Sequence, residues 1–116
     1  MKIVIANESH FKYAQAICDT IAESAKVRGT GIAKRTPEYI QQRLRNGNAI
    51  IALEGDKFAG FCYIEVFGNK KFVANSGLIV HPDFRNQGLA KKIKKAIFDL
   101  SRSKFPDAKI FGITTG

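Results

Sequence analysis

This 116-residue sequence predicts an α+β domain with a largely antiparallel sheet. Three observations predict it. Five short runs are strand-like in their apolar content, and three of these are consecutive in the chain. Three other segments carry apolar residues or caps at helical spacing. Laid end to end, the elements run β-α-α-β-β-β-α-β.

"KIVIA" (2–6) reads as a short first strand. The segment 8–27 follows as a helix with Phe11, Ala14, Ile17, Cys18, Ile21 and Ala25 on one face. Gly29 and Gly31 stop it, and "GTGIAKR" (29–35) is a glycine-rich, basic loop. Thr36-Pro37 opens a second helix near 37–46: the hydroxyl caps and the proline sits at the first helical position. Ile40 and Leu44 point inward, and "NGN" ends the helix. "AIIALE" (49–54) is a strand, Gly55-Asp56 a tight turn, and "KFAGFCYIEVF" (57–67) the strand that pairs back. "GNKK" (68–71) turns the chain into "FVANSGLIV" (72–80). Gly77 lies inside that strand, where a glycine marks a bulge or a close approach. A helix from about 88 to 103 has Leu89, Ile93, Ala96, Ile97 and Leu100 as its inner stripe, flanked by Lys91, Lys92, Lys94 and Lys95. "AKIFGIT" (108–114) is the last strand. No repeat, linker or low-complexity tract divides the chain, so residues 1–116 are expected to form one domain.

Bulk composition is that of a globular protein, 45% hydrophobic and 25% charged. No signal peptide or membrane-spanning run is expected, and a cytoplasmic setting follows. Cys18 and Cys62 have no metal or redox spacing and read as buried thiols. With His10 and His81 the only histidines, no metal site is expected. The net charge of +9 calls for an anionic partner: nucleic acid, membrane or a phosphorylated cofactor.

"VHPDFRNQGLAKK" (80–92) narrows that choice. A helix's first amides lack internal partners and carry the positive end of its dipole. Gly88 lets an anion approach the backbone closely, Ala90 keeps the first turn narrow, and Arg85 and Lys91 add positive charge. Such a turn can hold a pyrophosphate. It is neither a Walker loop nor a dinucleotide fingerprint. Arg85-x-x-Gly88-x-Ala90, after a strand ending in Val80 and Pro82, resembles the acyl-CoA motif R/Q-x-x-G-x-G/A of the GNAT-type N-acetyltransferase superfamily. The element order resembles the first five strands and three helices of that fold.

The resemblance implies a GNAT-like sheet flanked by helices, cut short after the fifth strand, with acetyl-CoA as acyl donor. Leu78, Ile79 and Val80 would present main-chain groups to the acetyl and pantetheine portion. The amides of Asn86, Gln87, Gly88, Leu89 and Ala90, with Lys91, would hold the pyrophosphate, and Arg85 would brace the loop. Gly77 fits the family's fourth-strand bulge. The acetyl group would pass to a primary amine of a small molecule, such as an amino acid, or of a protein, by direct attack. The family's base is often a fourth-strand glutamate. No carboxylate lies between Phe72 and His81, so Glu65 on the third strand is the nearest candidate, with His81 a weaker one. Tyr63 and Asn75 are candidate substrate contacts. The basic loop 29–35 borders the acceptor site in this family and would suit an anionic acceptor.

Family members continue past the fifth strand, so this chain is expected to be a fragment, or to be completed by a second copy across the exposed fifth-strand edge. A non-catalytic acyl-CoA sensor is the alternative. A basic nucleic-acid-binding module is more remote, because no aromatic-interleaved basic strand is present.

Overall fold

The computed structural model describes residues 1–28, 36–85 and 88–112; expectations for 29–35, for Asn86 and Gln87, and for 113–116 lie outside the described residues. The elements are β1 (Lys2–Ile5), α1 (Ala14–Arg28), α2 (Pro37–Arg45), β2 (Ala49–Glu54), β3 (Lys57–Phe67), β4 (Phe72–Val80), α3 (Leu89–Lys104) and β5 (Lys109–Gly112). They form one five-stranded sheet in the order β1-β2-β3-β4-β5. The first three pairings are antiparallel, and β4 and β5 are parallel, joined through α3. The α+β architecture expected from the sequence is the one observed. None of the described helices is long and apolar enough to cross a membrane.

The expected first helix is interrupted at its start. Glu8–Tyr13 is a 3-10 turn, and the α-helix begins at Ala14. The cause is local: the Asn7 carboxamide accepts the Ser9 amide at 2.8 Å, and His10 Nδ1 accepts the Asn7 amide at 3.0 Å. These bonds hold the chain in the tighter coil. The second helix starts as expected, with Thr36 Oγ1 accepting the Tyr39 amide at 3.1 Å, a cap that contributes about 1 kcal/mol.

Alternation along the strands sorts side chains onto two faces. Ala49, Ile51, Phe61 and Tyr63 pack beneath α1 and α2 with Ile17, Ile21, Ile40 and Leu44. Ile50, Ala52, Cys62, Ile64 and Val73 pack beneath α3 with Leu89, Ile93, Ile97 and Leu100. Fully burying one such side chain stabilises by about 1.5–3 kcal/mol, which is why both helical layers need their apolar stripe.

Two bulges reset this alternation. Between Ala52↔Gly60 and Leu53↔Phe58, β3 carries one extra residue. Between Phe61↔Ile79 and Tyr63↔Ser76, β4 carries one extra residue, at 77–78. The second is the bulge expected at Gly77. It lets Ile79 join the α1/α2 core while Leu78 and Val80 lie against α3. The described pairing of β4 with β5 runs only from Phe72↔Lys109 to Asn75↔Gly112 and so stops before the bulge.

Gly60 allows α3 to sit close to β3: a Cβ there would meet Ile93 Cδ1 at 2.5 Å. At the far end of α3, Lys104 Nζ donates to the carbonyls of Asn46 and Gly47 and to the Asn48 side chain, tying α3 to the turn after α2.

Candidate functional site

The turn from β4 into α3 is the segment expected to meet the acyl donor. Gly88 takes φ 74° and ψ 9°, the left-handed region that a glycine enters without strain, and no side chain caps the helix behind it. Lys92 N–H returns to the Gly88 carbonyl at 3.5 Å, so the amides ahead of it belong to the helix's unpartnered first turn. A Cβ built on Gly88 meets nothing within 4 Å, so the approach to these amides is open. Leu89 is buried and anchors the turn, Ala90 is half-buried, and Lys91 is exposed. An uncapped N-terminus of a 16-residue helix, opened by glycine and flanked by lysine, is chemically matched to a pyrophosphate.

The turn is braced from below. Arg85 Nε donates to the Val80 carbonyl at 3.2 Å. His81 N–H donates to the Ala59 carbonyl at 2.8 Å, and its Nδ1 accepts the Asp83 amide at 3.2 Å. The His81 ring meets Phe58 and Phe84 edge-on, at 6.4 Å and 6.0 Å. Lys57 hydrogen-bonds to Asp83 and holds that carboxyl below its usual range. His81 is therefore built into the turn as an acceptor, an arrangement that uses the nitrogen a base would need.

The other face, beneath α2, holds a cluster of aromatic and charged groups. Tyr63 is 1% exposed and pairs with Ser76, beside the β4 bulge; Glu65, half-buried, pairs with Ala74 on the same face. Tyr39 O–H donates to Glu65 Oε1 at 3.2 Å, and Arg43 Nη2 donates to the Tyr39 oxygen at 2.9 Å. The guanidinium lies 4.8 Å from the Tyr39 ring centre and 5.7 Å from that of Tyr63. Such contacts contribute about 0.5–2 kcal/mol each, more as they are desolvated. Arg43 Nε is closed off from solvent with no hydrogen-bond partner among the described residues, a deficit that costs about 1–3 kcal/mol.

Asn75 does not join this cluster. It pairs with Ile64 on the α3 face, and its Oδ1 accepts the Ser101 hydroxyl at 2.8 Å. One strand position separates it from Ser76, and a single step is enough to change faces. Tyr39 and Arg43 were not anticipated as site residues. Their i, i+4 spacing beside the Ile40/Leu44 stripe was the available signal.

Both cysteines are buried, as expected. Burial pushes the Cys62 thiol up to about 12 and raises that of Cys18 as well. A thiol raised in this way is a poorer nucleophile at neutral pH.

The sequence model of the acetyltransferase (GNAT) family matches residues 14–112. Comparison with curated proteins found no sequence match. Among solved structures, the fold is similar to Rv2747 from Mycobacterium tuberculosis in complex with CoA and NLQ: TM-score 0.76, 13% identity, covering 98% of this chain and 64% of that one. It is similar to N-acetylglutamate synthase from Neisseria gonorrhoeae complexed with coenzyme A and N-acetyl-glutamate: TM-score 0.76, 16% identity, 99% of this chain and 25% of that one. It is also similar to a chain from Staphylococcus aureus described as a GNAT family acetyltransferase, with TM-score 0.75 and 22% identity, covering 99% of this chain and 100% of that one. This protein's chain thus spans less than two thirds of the first two relatives and the full length of the third. With most of its length matched, the chain belongs to the GNAT acetyltransferase family.

Proposed function

We propose that this protein transfers the acetyl group of acetyl-CoA to a primary amine of a small molecule. The observation that carries the reading is the uncapped, glycine-opened start of α3 directly after the bulged strand β4. Acetyl-CoA supplies an activated thioester. The amides of Gly88, Leu89 and Ala90, with Lys91, hold its pyrophosphate, and Arg85 keeps the turn in place. Main-chain groups of Leu78, Ile79 and Val80 lie past the described β4–β5 pairing and align the pantetheine arm. The amine nitrogen bonds to the thioester carbonyl carbon, the C–S bond breaks, and the surplus proton leaves the nitrogen as the thiolate departs. Glu65, on the face beneath α2, is the candidate acceptor of that proton. Positioning two reactants in this way is the main source of rate.

Acetylation of an amino acid fits the neighbouring structure that holds N-acetyl-glutamate. A cytoplasmic setting fits two buried thiols. The outer edge of β5 is where a second copy would extend the sheet, and sedimentation at several protein concentrations checks it.

The test is calorimetry with CoA on the wild type and Gly88→Glu, followed by an amine panel with acetyl-CoA. Binding that disappears in Gly88→Glu, with acetylated product from the wild type, supports the reading. Unchanged affinity in the variant removes the donor assignment. Binding without any product leaves an acyl-CoA sensor. For Glu65→Gln, the expected effect is a loss in kcat of roughly 100-fold or more, with KM for acetyl-CoA little changed.

A further inference from the structure

We propose that Arg43 is the acceptor anchor: it binds a carboxylate on the incoming amine, so the acceptor is a small amino acid rather than a neutral amine. This rests on the acetyl-transfer reading above and names the substrate class for the same site. Four observations carry it. Arg43 is a permanent cation with five N–H donors, yet among the described residues it makes one hydrogen bond, to Tyr39. Its Nε is shut in and unpaired, and among the described residues no acceptor reaches Nη1. The Tyr39 and Tyr63 rings lie against the guanidinium, 4.8 Å and 5.7 Å from it, and limit where a ligand can come in. Finally, Tyr63 pairs with Ser76, immediately before the β4 bulge, so the cation stands beside the strand that carries the donor thioester.

The chemistry follows from these constraints. Rings against the faces leave a guanidinium its edge for hydrogen bonding, and with Nε shut in it is the Nη1–Nη2 side on which a planar carboxylate would form two parallel hydrogen bonds. Glu65 shares the cluster through Tyr39 and disfavours a doubly charged ligand such as a phosphate. It also attracts the acceptor's ammonium group. An amino acid held this way has its carboxylate on Arg43 and its nitrogen toward Glu65. Opposite charges at the two ends then give it a single orientation.

The test pairs each amino acid of a panel with its carboxamide, which keeps size and amine but removes the charge. The wild-type protein, Arg43→Met and Arg43→Lys are assayed with acetyl-CoA, with CoA calorimetry and thermal unfolding alongside. The expected result is a wild-type preference for acid over amide of roughly 10- to 100-fold in kcat/KM. In Arg43→Met the preference falls to about one, through KM, while CoA affinity is kept. Arg43→Lys retains part of it. Equal use of acid and amide by the wild type overturns the anchor even if Arg43→Met does not fold. An unchanged ratio in a folded Arg43→Met does the same, and in either case acetyl transfer still stands. Absence of product from every amine overturns the transferase reading, and the anchor with it.

Discussion

Replacing Gly60 by alanine tests how closely α3 and the sheet are fitted. The new Cβ would stand 2.5 Å from Ile93 Cδ1, 3.2 Å from the Ile79 carbonyl oxygen and 3.5 Å from Leu89 Cδ2. Carbon atoms prefer roughly 3.5–4.0 Å, so the first contact is about 1 Å too short. Ile93 is fully buried, which leaves its terminal methyl no solvent to turn into, and the Ile79 oxygen is backbone. Relief therefore requires Ile93 to turn its terminal methyl within the packed layer or α3 to lift from β3. Overpacking of this kind costs about 1–3 kcal/mol. At roughly 4–8 °C per kcal/mol for a small domain, Tm falls by about 4 °C or more. Leu89, the third neighbour, is the first residue of α3, so the same displacement disturbs the donor turn and weakens CoA binding. The assay is urea unfolding of the wild type, Gly60→Ala, Ile93→Val and the double variant. Ile93→Val alone loses about 0.5–1.5 kcal/mol by creating a small cavity. In the double variant that cavity receives the new methyl group, so the two losses should fall short of additive by roughly 1 kcal/mol. Strict additivity, or a Gly60→Ala protein as stable as the wild type, refutes the close contact.

Other expectations follow from the same geometry. Gly88→Ala forces a left-handed backbone at a cost of about 1–2 kcal/mol, and CoA calorimetry should show a larger loss than that, because the methyl stands where the anion approaches. Ser101→Ala leaves the Asn75 oxygen unpaired and destabilises by about 1–3 kcal/mol in urea titrations, whereas Ser101→Ala with Asn75→Leu recovers most of it. His10 has a lowered pKa, first through burial and then through Lys12 and Lys2, and its Nδ1 must stay unprotonated to accept the Asn7 amide. Its contribution to stability is therefore complete above the ordinary imidazole range and is lost as pH falls through its lowered folded-state pKa. His10→Gln should flatten the fall in stability that the wild type shows on acidification below the ordinary imidazole range.

The extent to which the sequence foretold all this varies by residue. The strands β2, β3 and β4 were readable to the residue because turn chemistry at Gly55-Asp56 and Gly68 punctuates alternating runs. Thr36-Pro37 announced α2, and Gly77 announced the β4 bulge. The bulge at Ala59 was silent, since alanine is at home in any strand. Asn75 was assigned to the acceptor side because polarity alone does not say which face of a strand a residue occupies; its partner Ser101 lies 26 positions away on α3. Arg43 and Tyr39 carry no motif of their own, because polar side chains on a short helix usually face solvent. They become a site only when β3 brings Tyr63 and Glu65 beneath them. The 3-10 start at Glu8–Tyr13 depends on side-chain bonds within three residues, below the resolution of apolar periodicity.

Strand β3 works as a partition. Tyr63 and Glu65 project from one side of it, while Cys62 and the α3-facing Gly60 lie on the other, so the cluster beneath α2 and the α3 layer share a backbone but hardly any side chains. On the proposed reading, substitutions in α2 would retune which amine is accepted while the grip on the acyl carrier stayed as it was. Heritable change in specificity has a route through this architecture that never crosses the sheet.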